Sequence, residues 1–225
     1  MRIRRKKHLE ERVAILSDYL LVLDESIKNV NEAIKVKNFI DTKAIFNNEN
    51  PVELEIGCGK GGFVCEKARQ NPQINYIAVE MLQNIIVMSA ELAKSNNLRN
   101  VIFLNSGAEY LPRYIKPQSI NTIYLNFSPP YPKDGYENRR LTSERFVKFY
   151  REFLKEGGKI IQKTDDKDFF EYSKSIFSKN GFIVLDLTNE YNDGKILSVK
   201  TEYELKFNEI GIKTNYLEAI LVKND

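Results

Sequence analysis

Eight residues, Glu55-Ile56-Gly57-Cys58-Gly59-Lys60-Gly61-Gly62, follow a short apolar run and satisfy the spacing G-x-G-x-x-G, and Glu80 stands 23 positions after Gly57. Glycines let a backbone turn tightly and approach a ligand that a Cβ would exclude. A carboxylate at the end of the next strand can accept hydrogen bonds from two ribose hydroxyls. Gly57, Gly59 and Glu80 therefore suit NAD and S-adenosylmethionine alike. Glu55 helps to separate them, because a negative charge there suits a cationic sulfonium and is poorly suited to a pyrophosphate. It favours S-adenosylmethionine. Further on, Asn105-Ser106-Gly107-Ala108-Glu109 offers two readings. Asn105 or the backbone near Gly107 reads an adenine edge, or a polar loop merely ends a strand.

A second stretch could do chemistry. Between Ser128 and Leu141 lie three prolines, one glycine and the pair Arg139-Arg140. Two cysteines, Cys58 and Cys65, and one histidine, His8, make neither a zinc site of the usual kind nor a disulfide framework. His8 lies in a charged terminal run, which argues against histidine acid/base catalysis.

These groups need elements to position them. From Pro51 onward, apolar runs at 52–56, 76–80, 101–105, 122–126, 159–164, 183–188 and 216–222 read as strands. Segments 63–70, 83–95, 143–154 and 168–179 carry apolar residues at helical spacing. Strand and helix in alternation mean a mostly parallel sheet covered on both faces. In such a sheet ligands sit at the carboxyl ends of strands, where both stretches fall. Residues 9–46 have weaker helical periodicity and end in the polar Asn47-Asn48-Glu49-Asn50-Pro51. This divides the chain into an N-terminal arm with a helical extension (1–50) and a main domain (51–225). Residues 1–12 set six basic side chains against two acidic ones, although the net charge of the chain is only +3. That arm either touches phosphate or is a solvated terminus. With 42% hydrophobic and 29% charged residues, no run of about 18 apolar residues and no secretory leader, the sequence predicts a soluble cytoplasmic protein.

Tyr124-Leu125-Asn126-Phe127-Ser128-Pro129-Pro130-Tyr131-Pro132-Lys133, followed by Arg139-Arg140-Leu141-Thr142, resembles the bacterial tRNA (guanine-N7)-methyltransferases. Their fourth strand ends in N-F-S-D-P-W-P-K and continues to R-R-L-T. The glycine turn, Asn75 to Glu80, Gly157-Gly158 with Lys163-Thr164-Asp165, and Thr201-Glu202-Tyr203-Glu204 match in the same order, over residues 51–222. The resemblance implies a three-layer, Rossmann-like α/β methyltransferase with a seven-stranded, mostly parallel sheet. It implies S-adenosylmethionine as cofactor and the variable-loop guanine of tRNA as target; the residue counts and apolar runs above predict no metal and no membrane span, and monomer and homodimer both stay open. The resemblance assigns the cofactor to Glu55 and Glu80, with the loop at Gly107 and the turn at Pro129 closing around it, beside the Gly57, Gly59 and Asn105 already read from the residues themselves. It gives substrate roles to Lys133, Asp165, Thr201, Glu202, Tyr203 and Glu204; Arg139 and Arg140, as cations beside the substrate pocket, suit RNA phosphates, and the carboxylates of Asp165 and Glu204 are the candidates to grip the guanine N1 and N2 hydrogens. The chain departs from the family at Gly107 and Pro129, where aspartate is common, and at Tyr131, which replaces tryptophan. Arg145, Lys148 and Arg151 either extend a basic track or form a solvated helix face.

Ser128-Pro129-Pro130-Tyr131 also resembles the turn of methyltransferases that act on exocyclic amines of bases. An NAD-dependent oxidoreductase and an inactive RNA-binding relative are the rival readings from other classes.

Overall fold

In the computed structural model, residues 8–222 are described, so the basic segment 1–7 lies outside the described residues. The chain divides into two compact units, Met1–Ile115 and Lys116–Asp225.

The first unit runs α1 (Leu9–Ile15), β1 (Leu20–Val22), α2 (Val30–Ala33), α3 (Thr42–Phe46), β2 (Val52–Ile56), α4 (Gly62–Gln70), β3 (Asn75–Glu80), α5 (Gln83–Ser95), β4 (Val101–Asn105) and α6 (Leu111–Tyr114). Its strands are parallel and lie in the order β1-β4-β3-β2. Every residue of β2 is buried, as expected for a strand covered on both faces. On α5, Ile86, Val87, Ala90 and Ala93 are fully buried; their i, i+1, i+4, i+7 spacing forms one apolar stripe. Leu9, Leu16, Tyr19 and Leu20 join the same core cluster as Ile86 and Phe103. Arg12 fixes α1 to α5 through a two-point bond to Glu91, at 2.7 and 2.6 Å.

The second unit runs β5 (Ile120–Asn126), α7 (Glu144–Phe153), β6 (Leu154–Thr164), α8 (Lys167–Lys179), β7 (Phe182–Asp186), α9 (Thr188–Asn192), α10 (Glu202–Glu209) and β8 (Asn215–Leu221). The strand order is β5-β6-β8-β7, with β5 and β6 parallel and β8 antiparallel to both its neighbours. Phe146, Val147, Tyr150 and Phe153 bury one face of α7. Asp166 caps α8 by accepting the Phe169 N–H at 2.8 Å.

The α/β class and the seven expected strands are present, but the described residues hold eight. The addition is β1, inside a stretch read as helical. Its three residues belong to the apolar run Tyr19 to Leu23, too short for periodicity to separate a strand from a buried helical turn. Pairing with β4 decides the matter: Leu20 stands opposite Phe103 and Val22 opposite Asn105, and Tyr19 O accepts the Phe103 N–H at 2.8 Å.

Candidate active site

In the first unit, the glycine turn joins β2 to α4. Gly57 and Gly59 have φ of +82° and +55°, and a Cβ on either would enter open space. Backbone conformation therefore favours glycine there, and the open space beside the turn lets a ligand approach the backbone. Gly61, at φ +80°, meets a tighter constraint, since a Cβ would fall 2.7 Å from Ser89 Cβ. The turn is held from beneath, with Val79 O accepting the N–H groups of Gly57 and Cys58. From α5, Ser89 Oγ donates to Gly59 O at 2.7 Å.

Glu55 is buried at the end of β2. Glu80 ends β3, with one carboxylate oxygen accepting the Leu82 N–H at 2.9 Å. Burial, then the charges of Glu55 and Glu80, push the Cys58 thiol well above its ordinary pKa, so both carboxylates bear on the turn. Burial and Glu55 push Cys65 up to about 12. The two thiols are reduced and buried, and neither is a nucleophile at neutral pH. Asn105 lies opposite Glu80 across the ladder, and its amide donates to the carbonyls of Glu80 and Met81 at 3.0 and 3.1 Å. It ties the ends of β3 and β4 together. Gly107 opens the short 3-10 turn Ala108–Tyr110.

In the second unit, Ser128-Pro129-Pro130 follows β5 between two non-glycine residues with left-handed backbone, Phe127 at φ +48° and Tyr131 at φ +42°. Such residues persist where their surroundings hold them. Phe127 N–H donates to Lys163 O at 2.8 Å. Its ring stacks on Tyr203 at 6.2 Å and meets Phe207 at 5.9 Å, joining the turn to α10. At the other end, Arg140 donates to Pro130 O and to Tyr131 O, each at 3.0 Å, and lies 4.4 Å over the Tyr172 ring. Arg139 stands 4.8 Å over Tyr131 and 5.3 Å over Tyr136. Pro129, Lys133 and Arg139 are exposed, as are Arg145 and Lys148; Arg151 is half-buried.

Asp165 is exposed just beyond β6, beside the turn after β5, because Asn126 pairs with Lys163 in a parallel register. Thr201 and Glu204 form a capping box on α10, in which Thr201 Oγ1 accepts the Glu204 N–H at 3.0 Å. Glu204 is 1% exposed. One of its oxygens meets the Lys163 ammonium at 3.1 Å and the Thr201 N–H; the other accepts from the Tyr191 hydroxyl. Lys163 donates also to Tyr191 Oη and Val199 O, both at 2.8 Å. Burial and the Glu204 carboxylate raise the Tyr191 phenol, whose ring stacks on Tyr216 at 4.6 Å. Glu202 and Tyr203 face solvent.

The second unit thus gathers Phe127 to Tyr131, Arg139, Arg140, Asp165 and the start of α10 at the carboxyl edge of β5 and β6. Sequence reasoning missed Ser89, Lys163 and Tyr191 as supporting groups. Only Lys163 carried a signal, as part of the Lys163-Thr164-Asp165 match. Among the described residues, no group of three or more His, Cys, Asp or Glu could hold a metal ion, and no helix is long and apolar enough to cross a membrane.

Residues 49–216 match a family described as "Putative methyltransferase". The chain is 41% identical over 189 residues to the tRNA (guanine-N(7)-)-methyltransferase of Bacillus subtilis (strain 168), covering 80% of this chain and 87% of that protein. It is 35% identical over 223 residues to the protein of the same name from Streptococcus thermophilus (strain CNRZ 1066), covering 97% and 98%. Among solved structures, the 16S rRNA methyltransferase KamB is similar in fold, with a TM-score of 0.58 at 16% identity over 83% of this chain and 96% of that one.

Proposed function

The chain belongs to the tRNA (guanine-N(7)-)-methyltransferase family, and on that premise we propose that it transfers the methyl group of S-adenosylmethionine to N7 of the variable-loop guanine of tRNA. The cofactor supplies an electrophilic methyl group on a sulfonium sulfur. In the first unit, the open turn at Gly57 and Gly59 admits the cofactor to the backbone, and Glu55 sets a negative charge beside it. Glu80 accepts from the ribose hydroxyls with the oxygen that Leu82 does not use. Asn105 holds the strand ends, while the backbone at Gly107 lines the adenine.

Guanine N7 carries an in-plane lone pair and needs no deprotonation, so positioning supplies most of the rate. Asp165, exposed beyond β6, accepts from the guanine N1 and N2 hydrogens. Glu204 has both oxygens committed to Lys163, Tyr191 and Thr201. It acts as a positioning residue that fixes α10, and with it Glu202 and Tyr203, rather than as a direct contact to the base. Lys133 and Arg139 meet RNA phosphates, whereas Arg140 shapes the turn around Pro129. Residues 51–225 form the methyltransferase domain and 1–50 an arm and extension of it, in a cytoplasmic monomer or homodimer.

The observation that carries this reading is the left-handed, open glycine turn between the carboxylates of Glu55 and Glu80. The experiment is incubation with labelled S-adenosylmethionine and unmodified tRNA, followed by nucleoside analysis. The expected product is 7-methylguanosine. N2-methylguanosine or an N-methylated adenosine would instead establish the exocyclic-amine reading, and an unlabelled tRNA would rule out both.

A further inference from the structure

The loop after β4, Ser106 to Glu109, is held by a residue far away in sequence. Glu25 Oε1 accepts the Gly107 N–H and the Ser106 hydroxyl, each at 2.8 Å. Glu25 is half-buried and Ser106 is buried, so these bonds are partly shielded from competing water. The segment that delivers Glu25 is itself anchored. Strand β1 pairs with β4 up to Val22 opposite Asn105. Immediately after it, Asp24 O accepts from Arg113 Nη1 at 3.1 Å and from the Tyr114 hydroxyl at 2.5 Å. Asp24 Oδ2 accepts from Arg113 Nη2 at 3.1 Å, and the Arg113 side chain is only 8% exposed. Lys37 Nζ donates to Pro112 O at 2.9 Å, while the N–H groups of Asn38 and Ile40 donate to Arg113 O and Tyr114 O. Residues 23–40 thus clasp residues 105–115 along their length.

The loop has little freedom left within itself. A Cβ at Gly107 would fall 2.8 Å from the Glu109 carboxylate, so Glu109 fills the space that a side chain at 107 would take. The Tyr110 phenol is raised by burial and then by the charges of Glu25 and Glu109. The carboxyl end of β4 is an edge where parallel sheets bind ligands, and a loop there serves a ligand only when its backbone is set in advance.

We propose that Glu25 is a positioning residue for the cofactor site. By binding the Gly107 N–H and the Ser106 hydroxyl, it fixes the adenine-facing loop, so that the N-terminal extension sets the affinity for S-adenosylmethionine. The proposal rests on the reading that this loop lines the cofactor.

The test is calorimetric titration of the full-length protein with S-adenosylmethionine, alongside steady-state kinetics and thermal melting. Glu25→Ala is expected to raise the cofactor Kd and KM about tenfold, with kcat at saturating cofactor and KM for tRNA within about twofold of wild type. Glu25→Gln keeps an acceptor oxygen at the same place and is expected to restore wild-type Kd. An unchanged Kd in Glu25→Ala overturns the proposal, as does a loss that affects kcat and both KM values equally and is not rescued by glutamine. Should Glu25→Ala not fold, Ser106→Ala removes one of the two donors; a raised Kd supports the role and a wild-type Kd overturns it. Wild-type protein that binds no S-adenosylmethionine would instead overturn the cofactor reading itself.

Discussion

Glu204 illustrates how a residue in a substrate motif can act without touching substrate. Its carboxylate and the Lys163 ammonium are 1% and 0% exposed, so each charge depends on the other and on Tyr191. Removing one partner leaves a buried charge without its counter-charge, and Glu204→Ala should cost about 3–5 kcal/mol in urea unfolding. Replacing both, as in Lys163→Met with Glu204→Leu, should recover most of that loss. If the single variant melts like wild type, the pair is not structural. Glu80 behaves in the opposite way, because among the described residues its carboxylate accepts a hydrogen bond only from the Leu82 N–H. Glu80→Ala should weaken S-adenosylmethionine at least about tenfold, the worth of one charged hydrogen bond, with little change in melting temperature. Calorimetric titration checks this, and unchanged affinity would remove Glu80 from the cofactor site. Asp165→Ala should keep cofactor affinity and lose methylation, since its carboxylate stands exposed beyond β6.

At the scale of elements, the turn after β5 depends on what packs at its two ends. Phe127 is fixed by α10, and Tyr131 by Arg140 through carbonyl bonds that a guanidinium fork makes in one plane. Lysine has neither the fork nor the flat face that lies over Tyr172. Arg140→Lys should therefore lower kcat by roughly tenfold while leaving cofactor affinity intact, if a misplacement of the turn by a fraction of an ångström disturbs attack geometry. Helix α4 gives a second test. Cys65 is raised from its ordinary value of 9 to about 12 by burial and Glu55. A thiol whose folded pKa is raised contributes stability that is present in full below about pH 9 and is lost as pH rises toward 12. Stability measured across that window should fall on the alkaline side, and Cys65→Ala should flatten the fall.

For the whole molecule, the relevant quantity is where the charge lies. The net charge is +3, yet residues 1–7 carry five basic side chains and no acidic one. Arg12, which the composition would count with them, is bound to Glu91 in two places. If the arm meets phosphates, deleting residues 1–7 should weaken tRNA binding most at low salt. It should also make the dependence of log K on log salt shallower by about 0.9 for each lost contact to duplex phosphate. A parallel displacement with unchanged slope would show that the arm makes no ionic contact.

Local spacing was enough for the α/β alternation, the main helices and the glycine turn between Glu55 and Glu80. Each depends on a period of two or 3.6 residues, or on backbone angles that only glycine adopts easily. The candidate residues at the carboxyl edges of the strands were legible for the same reason, because a motif next to a strand is placed by that strand. Tertiary structure alone decided that 20–22 is a strand, that Glu25 serves a loop some eighty residues away, and that Glu204 is committed to Lys163 and Tyr191. Those outcomes rest on pairs distant in sequence: β1 is a strand only because β4 offers an edge, and a buried carboxylate has the role its neighbours leave open to it. Such partners lie beyond any local period, so no pattern along the chain announces them.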